Sequence, residues 1–256
     1  MQILLGVIFA LTISAVAYRA RSLDVSGAVA AFVVGTAAFG LGGWPFALPL
    51  LTFFISSTLL SRWRKRSKEA LGFEKGGRRD SGQVLANGGV ATLCVLAYAF
   101  LPQPNCAYTL YLAALAAANA DTWATEIGAA IGGAPVSIVT LKRVPIGMSG
   151  GVSVAGTLGL VAGALVVALY ALIFHPNVGW HALLPPLIGG VVGTLVDSVL
   201  GATLQAQWRD VVDPDRLVES RPSTGDRVAR GLAWVGNDCV NLACTAVSVA
   251  LAWLLR

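Results

Sequence analysis

The sequence predicts an all-α protein, a polytopic transmembrane helix bundle of about eight helices with both termini outside. Three observations carry that reading. Only 12% of the 256 residues are charged and 56% are hydrophobic, whereas soluble domains carry about 25% charged residues. The mean hydropathy is +0.73. The basic residues are confined to loops that alternate along the chain.

A spanning helix needs roughly 20 mostly apolar residues. Eight segments meet that need, at about 2–18, 25–42, 44–60, 83–101, 108–131, 149–174, 182–205 and 231–255. The first has no basic n-region and no small-residue cleavage site, so it reads as a retained helix rather than a signal peptide. The second and third meet at Gly42-Gly43-Trp44-Pro45. That joint is tight enough for either two full spans or a re-entrant pair. Residues 1–256 read as one integral membrane domain, with basic loops at about 61–82, 132–148 and 206–230.

Charge sets the orientation. Arg19 and Arg21 follow the first segment, and Arg62, Arg64, Lys65, Arg66, Lys68, Lys75, Arg78 and Arg79 follow the third. Lys142 and Arg143 follow the fifth, and Arg209, Arg216, Arg221, Arg227 and Arg230 the seventh. Only the C-terminal Arg256 falls elsewhere, and the loops near 102–107 and 175–181 carry no charge. The positive-inside rule makes the basic loops cytoplasmic. The net charge of +5 is therefore a topology signal, and no nucleic-acid partner is expected. His175 and His181 read as interfacial residues. Cys94, Cys106, Cys239 and Cys244 form no CxxC pair and read as small packing residues, not as a disulfide or zinc framework.

Charged groups inside a span are costly and usually mark a site. Asp121 and Glu126 lie in the fifth segment, Asp197 in the seventh and Asp238 in the eighth. Asn119, Asn237 and Asn241 accompany them, with Gln83 and Asn87 at the start of the fourth. On this topology Gln83, Asn87, Asp121, Glu126, Asp197, Asn237, Asp238 and Asn241 fall toward the cytoplasmic side, which predicts a shared polar cavity. Asp121 and Glu126 diverge by roughly 140° on a helix, so one metal ion is not expected to bind both. Asp121 and Thr125 share a face, as do Asn237 and Asn241. The stretch Asp197-Ser198-Val199-Leu200-Gly201-Ala202 weakly echoes the Asp121-Thr122 segment.

The sixth segment opens with Gly147-Met148-Ser149-Gly150-Gly151-Val152-Ser153. Close helix packing explains Gly156, Gly159 and Gly163. Glycines and hydroxyls at a cytoplasmic helix start also suit phosphate. No GxxxxGK[ST] motif is present, which excludes a P-loop fold. Arg62 to Lys68 read as a lipid-surface patch. Arg78, Arg79 and Asp80 abut the polar helix start, where an arginine suits either topology or phosphate; Lys142 and Arg143 divide the same way. Carboxylates, amides, a Gly/Ser turn and arginines together describe a site for Mg²⁺ and phosphate.

Five ordered motifs resemble the transmembrane protein 19 family: Arg79-Asp80-Ser81-Gly82-Gln83-Val84-Leu85-Ala86-Asn87-Gly88-Gly89, Ala120-Asp121-Thr122-Trp123-Ala124-Thr125-Glu126-Ile127-Gly128, Gly150-Gly151-Val152-Ser153-Val154-Ala155-Gly156-Thr157, Asp197-Ser198-Val199-Leu200-Gly201-Ala202 and Asn237-Asp238-Cys239-Val240-Asn241. That family includes the plant phytyl-phosphate kinase. The resemblance implies a kinase that moves a phosphoryl group from a nucleoside triphosphate, CTP or ATP, to an isoprenoid lipid phosphate. The expected cofactor is Mg²⁺, held by Asp121, Asp197 and Asp238. Arg79 and Lys142 would contact phosphate, with Asn87, Asn237 and Asn241 in support. Asp80, Gln83, Arg143, Ser149, Gly150, Gly151 and Ser153 are further candidates for nucleotide or phosphate. Glu126 is a catalytic candidate without an assigned role. An ion- or proton-coupled transporter and a lipid-phosphate cytidylyltransferase are the rival readings. The expected location is the cell (inner) membrane, in contact with membrane lipid, and no oligomeric state is assigned.

Overall fold

A computed structural model of the protein describes residues 1–63, 78–102, 104–131, 133–174, 176–210, 217–219 and 228–256. The chain forms α1 (Gln2–Arg19), α2 (Val25–Ala37, continued by a π-turn at Ala38–Gly42), α3 (Trp44–Arg62) and α4 (Ser81–Phe100). Next come α5 (Pro104–Ile131), α6 (Val154–Ala168) and the short α7 (Tyr170–Phe174). A 3₁₀ stretch at Pro176–Leu183 leads into α8 (Leu184–Thr203), and α9 (Asn237–Leu255) closes the chain. Two small antiparallel pairs sit in the loops, β1 (Val136–Ser137) with β2 (Gly151–Val152), and β3 (Trp208–Arg209) with β4 (Leu217–Val218).

Seven helical stretches among the described residues are long and apolar enough to cross a membrane, α6 and α7 forming one of them. The eighth span, α5, is 28 residues long, about 42 Å at 1.5 Å per residue. It is less apolar because it carries Asn119, Asp121 and Glu126. It can afford them because it touches protein rather than lipid: Leu112 to Ala117 are all 0% exposed. The outer helices instead expose Ile3, Ile8, Val29, Leu93, Leu158 and Leu254. In water such a surface would be an aggregation liability; facing hydrocarbon it is the stable arrangement.

α5 can be enclosed because small residues let helices approach it closely. A Cβ added at Gly163 of α6 would lie 3.0 Å from Ala120 Cα and from the Asn119 carbonyl oxygen. The Asn119 Nδ2 donates to the Gly163 carbonyl at 2.8 Å across that seam.

The α2–α3 joint consists of two full spans, not a re-entrant pair. Gly43, at φ 69°, makes the turn and accepts from the Phe46 and Ala47 amides. Arg62, at the far end of α3, reaches back to Ser22 Oγ at 3.0 Å. Helix ends therefore alternate between two faces. One face gathers the starts of α2, α4, α6 and α9 with the basic loops. The other holds both termini, where Arg256 meets Cys106.

Three helix starts differ from the sequence reading by four residues or more. The sixth span begins at Val154, not 149, because Gly147 and Gly150 take φ of 84° and 77° and Gly151 enters β2. The last span begins at Asn237, not 231, because Gly231 turns at φ 78° and Leu232 N donates to the Leu204 carbonyl. The fifth begins at Pro104 rather than 108. All four cysteines are free; Cys94 and Cys244 are buried as packing residues, but Cys239 is exposed and does not fit that reading. Arg64, Lys65, Arg66, Lys68, Lys75, His175, Arg216, Arg221 and Arg227 lie outside the described residues.

Candidate functional site: a polar cleft at the basic-loop face

Asp121 and Thr125 are one turn apart on α5, so their side chains leave the helix in one direction. Thr194, Asp197 and Ser198 on α8 face them, and Asn237 stands at the first turn of α9. These residues line one cleft with Ser149, Gly150, Gly151 and Ser153 of the loop that enters α6. The positive pole of α6 opens onto the same cleft, because Ser153, Gly156 and Thr157 also line it. An anion is favoured at such a helix end.

Part of the loop's polar capacity is already committed to its own structure. Ser153 Oγ accepts from Gly156 N at 3.1 Å and so caps α6. Gly151 N donates to the Met148 carbonyl at 3.0 Å, and the Gly150 carbonyl accepts from Ile138 N at 2.9 Å. Ser149 Oγ donates to Glu219. Gly150 needs its glycine, since a Cβ there would collide with Ala202 at the end of α8. The bend that these bonds hold sets the α6 start against the two carboxylates.

Other candidates are placed elsewhere. Glu126 points to α3, where its Oε1 accepts from Ser61 Oγ at 2.7 Å. The divergence of Asp121 from Glu126 is thus as helical geometry requires. Asn119 joins the same α3–α5 seam, with its Oδ1 accepting from Ser56 Oγ at 3.0 Å. Trp123 Nε1 donates to that Ser56 at 3.1 Å. Lys142 and Arg143 are exposed in the β1–β2 connection and do not line the cleft. Asn241 is buried one turn below Asn237.

Asp80 caps α4, accepting from Gln83 N at 2.9 Å. Asp238 stands beside it, its Oδ2 only 2.5 Å from where a Gly82 Cβ would be. Arg79, Gln83 and Asn87 line a second cavity, walled by α1 to α4 with Thr122 of α5. Burial pulls the Arg79 guanidinium below its ordinary pKa, and the nearby Glu126 carboxylate opposes that shift. The predicted single cavity is therefore two neighbouring ones. The α4 and α9 starts join them at the basic-loop face, while α5 contributes Asp121 to one and Thr122 to the other.

Sequence reasoning missed Thr194. The available signal was its spacing, three residues before Asp197 on one helix face. For a metal, the cleft offers two carboxylates, an amide and hydroxyls, the hard oxygen donors that suit Mg²⁺. The expected third ligand is not brought in: Asp238 lies on the Asp80 side, and the described residues hold no group of three His, Cys, Asp or Glu that could bind an ion.

The fold and the cleft define a multi-pass α-helical integral membrane protein with a polar cleft at one face of the bundle. Within that class the chain belongs to the integral membrane protein family DUF92, whose model matches residues 8–249. It is 34% identical over 227 residues to Protein PGR of Arabidopsis thaliana, covering 77% of this chain and 78% of that one. It is also 34% identical over 206 residues to the uncharacterized membrane protein sll0875 of Synechocystis, with 78% of each chain covered. The chloroplastic protein VTE6 of Arabidopsis thaliana is 26% identical over 249 residues, covering 91% of this chain and 65% of that protein. No solved structure matches.

Proposed function

We propose that this protein is an isoprenoid-lipid monophosphate kinase. The observation that carries the reading is the convergence of Asp121 and Asp197, from two helices, with the α6 and α9 starts on one cleft at the basic-loop face. Carboxylates and positive helix poles together suit a metal-bound polyphosphate better than they suit either ion alone. The motif resemblance to a family that includes the plant phytyl-phosphate kinase supports the reaction class.

The acceptor is already a nucleophile, so no strong general base is required. A lipid phosphate oxygen attacks the terminal phosphorus of the nucleotide. The bond to the bridging oxygen breaks, and the nucleoside diphosphate leaves with the electron pair. Catalysis is then positioning and charge neutralisation. Asp121 and Asp197 would hold Mg²⁺, which when bound neutralises phosphate charge. The α6 start and Asn237 orient the polyphosphate, and Arg79 holds the acceptor phosphate at the neighbouring cavity.

A transporter is the weaker reading. Beneath the cleft, Ala120, Leu160 and Ala164 form an apolar cluster with Leu187 and Val191 packed against it. Purified protein in lipid nanodiscs, given labelled CTP or ATP with phytyl or geranylgeranyl monophosphate, is expected to form lipid diphosphate. A CDP-lipid product would assign a cytidylyltransferase instead. Ion flux in vesicles without either product would assign a transporter.

A further inference from the structure

We propose that the cavity walled by α1 to α4 is the tail site for a single-chain lipid with a phosphate head, and that Phe39, backed by Phe9 and Trp44, sets its longest tail. This deepens the kinase reading and rests on it for the head group.

The head end is built. Arg79 N donates to the Ser22 carbonyl at 3.0 Å, and the Arg79 carbonyl accepts from Asp24 N at 3.0 Å. That pairing fixes the residue at the start of α2. Its guanidinium lies 5.9 Å from the centre of the Phe54 ring, and Gln83 and Asn87 stand on the same cavity wall. A cation over an aromatic ring at the mouth of an apolar cavity matches an amphiphile with an anionic head.

The far end of the cavity wall is Phe39, backed by two further aromatic rings. Phe39 stacks on Phe9 at 5.7 Å and meets Trp44 edge-on at 5.7 Å. Phe39 lies about 20 Å along α2 from the level of Arg79, at 1.5 Å rise per residue. That length suits a zigzag chain of roughly fifteen carbons with bonds of about 1.5 Å. α1 and α2 touch along this wall, a Cβ on Gly35 lying 3.1 Å from that of Ala10, so no chain passes between those two helices. Ala31 faces the cavity midway between head and trio.

The test measures binding of isoprenyl monophosphates from geranyl to longer than geranylgeranyl, by competition with a radiolabelled member, on full-length protein in nanodiscs. Ala31→Phe should weaken the longest accepted chain at least tenfold and leave geranyl phosphate within twofold. Ala31→Leu should fall between. Phe39→Ala should admit a longer chain. Arg79→Gln should weaken every length alike, and a two-chain phosphatidic acid should not compete. An unchanged length profile in Ala31→Phe and Phe39→Ala, or equal competition by phosphatidic acid, would overturn the proposal. A misfolded variant loses all lengths together and so cannot mimic opposite shifts from the two ends. Binding needs no turnover, so the two readings separate. A shifted profile without any lipid diphosphate sinks only the kinase. Lipid diphosphate with an unshifted profile sinks only the tail site.

Discussion

Asp121 and Glu126 stand five residues apart on α5 and serve different faces, one toward the cleft and one toward Ser61 of α3. Their substitutions should therefore behave differently. Asp121→Asn is expected to lower phosphotransfer by at least 100-fold with unchanged unfolding in detergent. Glu126→Gln keeps an acceptor for Ser61 and should stay within a fewfold of wild type in the same assay. Asp24 supplies a pH prediction. Its carboxylate accepts from Gly27 N at 2.7 Å and from Ser26 Oγ at 2.8 Å. These bonds, the Gly27 one first, hold its pKa below the ordinary 3.8. A depressed folded pKa means that the cap contributes fully above the unfolded value and fades as pH falls through the folded one. Thermal unfolding across pH 3.8 should thus show an acid loss that Asp24→Asn, still a good cap, largely lacks. The Asp121–Thr125 face was legible because it follows from helical spacing alone. The displacement of Arg79 into a second cavity was not, because it depends on a long-range pairing of Leu23 with Arg79.

At the scale of elements, α6 carries two separable features. Its glycine stripe lets it lie on α5, and its capped start faces the cleft. Gly163→Ala would press a methyl against Ala120 and the Asn119 carbonyl. Overpacking of this kind typically costs about 1–3 kcal/mol, measurable by denaturant titration in micelles. Gly150→Ala should cost at least as much stability and also shift the loop, because φ 77° and the collision with Ala202 both resist a side chain; nucleotide affinity reads that shift. The stripe was visible in the sequence as Gly156, Gly159 and Gly163. The hairpin before it was not: β1 and β2 are two residues each, too short for an alternation pattern, so Gly147 to Gly151 looked like a helix start.

For the whole molecule, apolar length and the alternation of basic loops both count α5 as a span, although it is less apolar than the seven other spanning stretches. The buried packing of α5 explains why: its environment is protein, so its composition is not that of a lipid-facing span. The same alternation makes a labelling prediction. Cys239 is exposed on the cleft face and Cys106 is partly exposed beside the C-terminus. In single-cysteine variants, an impermeant maleimide should reach Cys106 only in right-side-out vesicles and Cys239 only in inverted ones. In the proposed function, the cleft holding Asp121 and Asp197 transfers a phosphoryl group to a lipid phosphate. Its most direct test is lipid diphosphate formation by purified wild type, Asp121→Asn and Asp197→Asn, matched for folding, with Mg²⁺, nucleoside triphosphate and isoprenyl monophosphate. Product is expected from wild type, with a loss of at least 100-fold in each variant. Full activity in both variants, or no lipid diphosphate from folded wild type, would contradict it.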